Sequence, residues 1–169
     1  IPSVLIEGLH PMPHGSPHDF DFFHGAWHVA HRRLTRRLAG SDDWEEFGGS
    51  ALVRPLLAGQ GNVDDNVIDL PGETYRAVTL RSFDPASGDW SIWWLDGRAP
   101  HRLDPPLIGG FRDGRGLFLV EDVFEGRPIR VRFIWTPDAK GGPHWEQAFS
   151  ADLGATWETN WVMRFTPMG

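Results

Sequence analysis

The chain has no cysteine, a single tyrosine and three methionines among its 169 residues. Without cysteine there is no disulfide, no thiolate metal ligand and no thiol nucleophile. Basic residues are also in short supply. Sixteen Lys and Arg against 23 Asp and Glu give a formal net charge of −7. That balance argues against a general nucleic-acid binder, because phosphate contacts need a basic face. No apolar run reaches the ~20 residues that span a bilayer, and the opening IPSVLIEGLH lacks the basic start and long apolar core of a signal peptide. The expectation is a cytoplasmic soluble protein with no membrane partner. Long helical periodicity is absent as well. So are a serine nucleophile elbow, H-E-x-x-H, a P-loop and G-x-G-x-x-G. The glycines of GQG and GGFRDGRG read as turn residues, since no helix follows them. Nothing here calls for a cofactor or a resident metal.

What the chain does have is nine Trp, eleven Phe, 20 Gly and 14 Pro. Aromatics favour pleated, half-buried surfaces, and Gly and Pro supply turns. Hydrophobic content of 40% and charged content of 23% are those of a folded globular protein. Strands are expected over about 22–35, 44–54, 61–70, 74–84, 89–96, 115–124, 128–136, 144–150 and 157–166. Turn chemistry separates them: AGSDD, LAGQG, LPGE, DPASGD, EGRP and DAKGGP. Consecutive hairpins imply an all-β, antiparallel, up-and-down barrel of about eight to ten strands, since closure removes exposed edges. Residues 20–169 form one such domain. Residues 1–19 are expected to be an irregular arm. Its His10, His14 and His18 lie four apart, but Pro11, Pro13 and Pro17 deny them a helix, so solvated histidines are expected rather than a metal site.

Face parity picks out the functional candidates. In the hairpin around FDPASGDW, Phe83 should oppose Trp90, Arg81 oppose Ile92, Thr79 oppose Trp94 and Ala77 oppose Asp96. Both faces are largely apolar, so Arg81 and Asp96 are unusual. They either pair with each other or read a ligand. In GQGNVDDNVIDL, Asn62, Asp64 and Asn66 share one face. They suit a hydrogen-bonding row in a cavity, oxygen ligands for a hard cation, or a solvated edge strand. In the last two strands Trp145, Gln147 and Phe149 share a face, as do Trp157, Thr159, Trp161, Met163 and Phe165. Both rows are expected to point inward. Glu146, Glu158 and Arg164 then point outward beside Arg130 and Arg132, as surface cross-strand partners. His31 shares a face with Trp27 and Val29. The long DGRAPHRLDPPLIGGF segment, 96–111, is expected as a loop, either a lid or simple packing. Arg32, Arg33, Arg36 and Arg37 form a local basic run, which a solvated strand end explains as well as a partner does.

The proposed ligand-contacting set is Asp64, Asn66, Arg81, Trp94, Asp96, Glu121, Trp135, Gln147, Thr159 and Trp161, under the 97–110 segment. Candidates for proton transfer are Asp64, Asp96, Glu121 and His31, with Arg81 as an oxyanion partner.

The stretch SADLGATWETNW contains Ser150-x-Asp152-x-Gly154-x-Thr156-Trp157, the S-x-D-x-G-x-T-W pattern called the Asp-box and best known from sialidase propellers. A propeller needs four or more four-stranded blades, which 169 residues with one such box cannot supply. The motif is therefore expected to build a hairpin turn, with Trp157 returning to the core.

FFHGAWHV contains Gly25-x-Trp27 at the start of the first long strand. It resembles the G-x-W signature of lipocalins and the wider calycin group. The blocks WEEFGG, GQGNVDDN, LRSFDPASGDWSIWWLDGR and WEQAFSADLGATWETNW are similar, over about residues 20–166, to a family of bacterial calycin-type proteins of unassigned activity. The resemblance implies a lipocalin-like barrel, with Trp27 plugging one end beneath a late arginine, Arg164. Wider relatives bind hydrophobic small molecules, and nitrobindin-type barrels bind haem through a histidine, for which His28, His31 and His144 are the strand candidates here. Two functions stand side by side: a small-molecule-binding barrel, alone or as a homodimer, and a cofactor-independent enzyme of cyclase, isomerase or hydratase type. Haem binding is a further alternative.

Overall fold

The computed structural model describes residues 15–169. His10 and His14 of the N-terminal arm lie outside them. Ten strands follow in order: β1 (Gly25–Leu34), β2 (Trp44–Leu56), β3 (Gly61–Leu70), β4 (Glu73–Asp84), β5 (Asp89–Asp96), β6 (Leu107–Arg112), β7 (Arg115–Phe124), β8 (Arg127–Thr136), β9 (His144–Ser150) and β10 (Glu158–Pro167). Each pairs antiparallel with its neighbours in sequence, and β10 closes on β1. The protein is thus a closed up-and-down antiparallel barrel, the all-β architecture expected from the turn spacing. The nine expected strands are present. The tenth, β6, lies inside the segment expected to be loop.

Because direction alternates, the turns fall at two ends. The Leu56–Gly61, Asp84–Asp89 and Thr136–His144 connections share one end with the start of β1. A plug of aromatic side chains fills that end. Residues 15–24 run across it, with a short 3-10 turn at Asp21–Phe23. Phe20 and Phe23 are fully buried, and Phe23 stacks on Trp27 at 5.6 Å. Phe23 also meets Trp135 and Phe165 edge-on at 4.7 and 4.8 Å. Asp19 accepts from its neighbour Ser16 N and from Trp90 Nε1, at 2.9 and 3.3 Å. The described end of the arm is therefore part of the plug. His18 bonds Asp21 at the surface, at 2.8 Å.

Trp27 is buried as expected and donates its indole N–H to Phe23 O at 2.8 Å. The arginine above this plug is not Arg164, which is exposed and lies on the outer wall. It is Arg81, whose guanidinium carbon stands 5.0 and 5.4 Å from the Phe20 and Phe23 rings. Strand parity explains the difference. Phe165 faces in, so its neighbour Arg164 must face out.

The other end is open, and the wall beneath it is incomplete. Only Trp90, Ser91 and Ile92 of β5 pair with β6. Trp93–Asp96 therefore have no strand on that side. Residues 97–106 connect the two strands here, and their Arg98, Asp104 and Pro105 border the cavity. No helix of the described residues is long and apolar enough to cross a membrane.

Candidate functional site

Above the aromatic plug the barrel encloses a cavity of about 250 Å3. Its walls come from inward rows of the strands. β5 gives Trp94, β8 gives Val131 and Phe133, β9 gives Trp145 and Gln147, and β10 gives Trp161 and Met163. Trp94 meets Trp161 edge-on at 6.0 Å, and Trp145 meets the same ring edge-on at 5.7 Å. Three indoles thus form one corner of the cage.

The floor is polar and satisfied mostly within itself. The expected register of β4 on β5 is the observed one, so Arg81 points inward, opposite Ile92. Its partner is not Asp96. Arg81 Nη1 donates to Asp64 Oδ1, and Nη2 donates to Asp64 Oδ2 at 2.9 Å. Nη1 also donates to Asn62 Oδ1 at 2.8 Å. Arg81 and Asp64 are each 3% exposed. Asn62 and Asp64 have this inward position because β3 alternates them with Val63 and Asp65, and Asp65 pairs with Arg76 outside. Of the three readings open for this row, the buried side chains fit a hydrogen-bonding strip and not a solvated edge strand. Its carboxylate is committed to an arginine rather than free for a cation, and the described residues hold no metal-ligating cluster. Asn66 continues the row, donating to Thr79 Oγ1 at 3.4 Å.

Asp96 sits at the mouth, where Arg98 holds it with two side-chain bonds of 3.1 and 2.9 Å and a backbone bond of 2.8 Å. Burial pushes the Asp96 carboxyl up, but these bonds outweigh it and keep it below its ordinary value. Arg98 in turn lies 3.7 Å over the Tyr75 ring.

Two members of the expected contact set lie elsewhere. Glu121 is on the outer wall, its side chain 76% exposed and paired with Arg130 at 3.3 Å. Both faces of GLFLVEDVF are apolar, so parity was ambiguous, and β7 turns Phe118, Val120 and Asp122 inward instead. Thr159 faces outward because a bulge at Asn160 shifts the β10 register between Thr159 and Trp161. Asn160 is fully buried and accepts from Gln147 Nε2 at 2.8 Å. The same bulge corrects two further expectations. Trp157 lies outside, under Arg132 at 4.4 Å, rather than in the core row. Glu158 opposes inward Phe149 and accepts from Leu38 N at 2.7 Å, holding the β1–β2 loop at the mouth.

The Asp-box is a turn device. Asp152 accepts from Thr156 N at 2.8 Å and from Thr156 Oγ1, and Ser150 Oγ receives Gly154 N at 2.8 Å. Gly154 takes φ 90°, a region that favours glycine. The two Thr156 bonds, with a third from Ser150, hold the Asp152 carboxyl down at about 2.

His31 points inward but stops short of the cavity. Its Nδ1 accepts from Trp161 Nε1 at 3.1 Å, and Phe47 stacks on the ring at 4.8 Å. Nδ1 therefore carries the lone pair and Nε2 the proton. Burial, then the Arg33 charge, pushes this imidazole down to about 4. His28 is exposed on the outer wall, and His144 precedes inward Trp145 and so faces out. No strand histidine offers a free axial nitrogen to the cavity, and about 250 Å3 is too small for a porphyrin. The haem alternative does not fit. Nor is a free proton carrier left among Asp64, Asp96, Glu121 and His31.

Reading the strand faces missed a cluster at the mouth: Arg33, Arg37, Tyr75, Arg98 and Asp122 all line the opening. The basic run around Arg33 and Arg37 was the signal, but a solvated strand end explained it equally well. The chain matches no protein-family model, and no curated protein is significantly similar to it.

Proposed function

We propose that this protein is a small-molecule-binding barrel of the lipocalin-like kind, with the calycin-type membership that its G-x-W start and strand blocks suggest. The observation that carries the reading is the three-indole cavity of about 250 Å3 closed on one side by the aromatic plug. Ligand pockets are commonly concave, mostly apolar and furnished with a few placed polar groups, over a range of about 300–1,000 Å3. This one is at or just below the small end of that range, so the ligand is a compact one- or two-ring molecule rather than a long chain. Thr79, Asn66 and Gln147 offer it neutral hydrogen bonds from the wall. The open end opposite the plug offers a way in. Acid–base catalysis has less support, because the carboxylates and the imidazole nominated for it already have partners.

A thermal-shift panel of small one- and two-ring compounds tests the reading. Hits should stabilise the wild type and fail to stabilise Val131→Trp, which fills the cavity from its wall. If every hit stabilises Val131→Trp equally, binding is elsewhere and the reading falls.

A further inference from the structure

The charges lining the cavity balance in number, four arginines against four aspartates, but they are not all paired. Arg98 is committed to Asp96 at 2.9 Å, with Glu73 at 3.7 Å. Arg33 has Glu45 at 3.4 Å. Arg37, on the β1–β2 loop, lines the cavity and has no carboxylate within 4 Å among the described residues. Its Nε is buried and makes no hydrogen bond. Burial and the neighbouring Arg33 charge both work against this guanidinium, pulling it below its ordinary value. Glu45 belongs to Arg33, Glu158 accepts from Leu38 N, and Asp104 faces Arg102 at 3.8 Å. Asp122 of the lining has no cation within 4 Å among the described residues, but it is on β7, four strands round the barrel from β1.

A partly buried guanidinium with idle donors, beside two more arginines and a tyrosine, is costly unless an anion completes it. The planar fork of arginine matches a carboxylate, two N–H bonds to two oxygens. Behind Arg37 lies the apolar cage of Trp94, Trp145 and Trp161. A free inorganic anion would gain nothing from those walls, and a neutral hydrocarbon nothing from the arginines.

We propose that the mouth is a carboxylate seat, that Arg37 is its anchor, and that the ligand is a small aromatic or alicyclic carboxylate whose ring enters the indole cage. This rests on the binding-barrel reading. Arg33 and Tyr75 flank the seat, and Arg98, held by Asp96, sets its outer edge.

Calorimetric titration with 2-naphthoate and with 2-naphthamide, its uncharged isostere, tests the proposal. The wild type should bind naphthoate about tenfold or more tightly than naphthamide, the range expected for a charge-assisted hydrogen-bonded pair. Arg37→Gln should bring naphthoate to the level of naphthamide and leave naphthamide unchanged. Arg37→Lys, which keeps the charge but not the fork, should retain only part of the preference. Unchanged denaturant midpoints establish that both variants fold. Equal binding of the two probes to the wild type, or a naphthoate preference that survives Arg37→Gln, would overturn the carboxylate seat while leaving the binding barrel standing. Binding of neither probe at millimolar concentration would overturn both.

Discussion

Replacing Arg81 by Met should be among the most damaging single changes in the barrel, and replacing Asp64 with it should undo most of the harm. Both side chains are 3% exposed, and two N–H···O bonds join them, with Asn62 as a third partner at 2.8 Å. Arg81→Met leaves a buried carboxylate at the cavity floor without its cation. Removing one member of a buried pair costs about 3–5 kcal/mol, because the other is stranded. The lost cation–π contacts with Phe20 and Phe23 add about 1 kcal/mol, partly offset by methionine sulfur against the rings. The double variant Arg81→Met/Asp64→Leu strands no charge and should lie within about 1–2 kcal/mol of the wild type. Urea unfolding followed by tryptophan fluorescence gives all the corners of the cycle once Asp64→Leu is added. A coupling energy below about 1 kcal/mol would mean that water reaches the pair and that the floor is not sealed.

Protonation of His31 opposes folding. Its imidazole is near 4 when folded and near 6.5 when unfolded, so the unfolded chain binds the extra proton between those values. Stability is complete above about pH 6.5 and should fall by about 3 kcal/mol as pH drops to about 4. His31→Leu should flatten that part of the urea-midpoint profile, and an unchanged slope would place the acid sensitivity elsewhere. Trp27→Ala should cost about 3–5 kcal/mol through the cavity left in the plug. An unaltered urea midpoint would show that Trp27 seals nothing. Asp152→Ala should lower the midpoint, since Thr156 and Ser150 lose their acceptor, yet leave 2-naphthoate affinity as it was. A folded variant unable to bind would give the Asp-box a role beyond its turn.

What the sequence made legible, and what it hid, follows from how far period-two parity can be carried along a strand. Between Ala77 and Asp96 the ladder is unbroken, and the tight turn fixes its phase, so the facing of Arg81, Thr79 and Trp94 could be read residue by residue. Parity states which face a charge is on, but not which strand supplies its partner. Asp64 and Asp96 were both admissible, and the choice depended on depth: Asp64 lies opposite Thr79, one inward step from Arg81, whereas Asp96 lies opposite Ala77, two inward steps away toward the mouth. Parity fails outright at an inserted residue. Asn160 carries no turn signature, so every assignment on its N-terminal side, Trp157, Glu158 and Thr159, was reversed together. β6 was hidden by the opposite problem, since Pro105, Pro106, Gly109 and Gly110 read as loop. Yet the glycine is what lets this strand lie against β7, because a Cβ on Gly109 would stand 1.9 Å from Leu117 O. A residue that weakens strand propensity is here the condition for strand pairing. The same reasoning applies to Arg37: a charge run looks solvated in one dimension, and only closing β10 onto β1 and folding the β1–β2 loop over the opening brings it to a cavity where no carboxylate of the described residues lies within 4 Å of it.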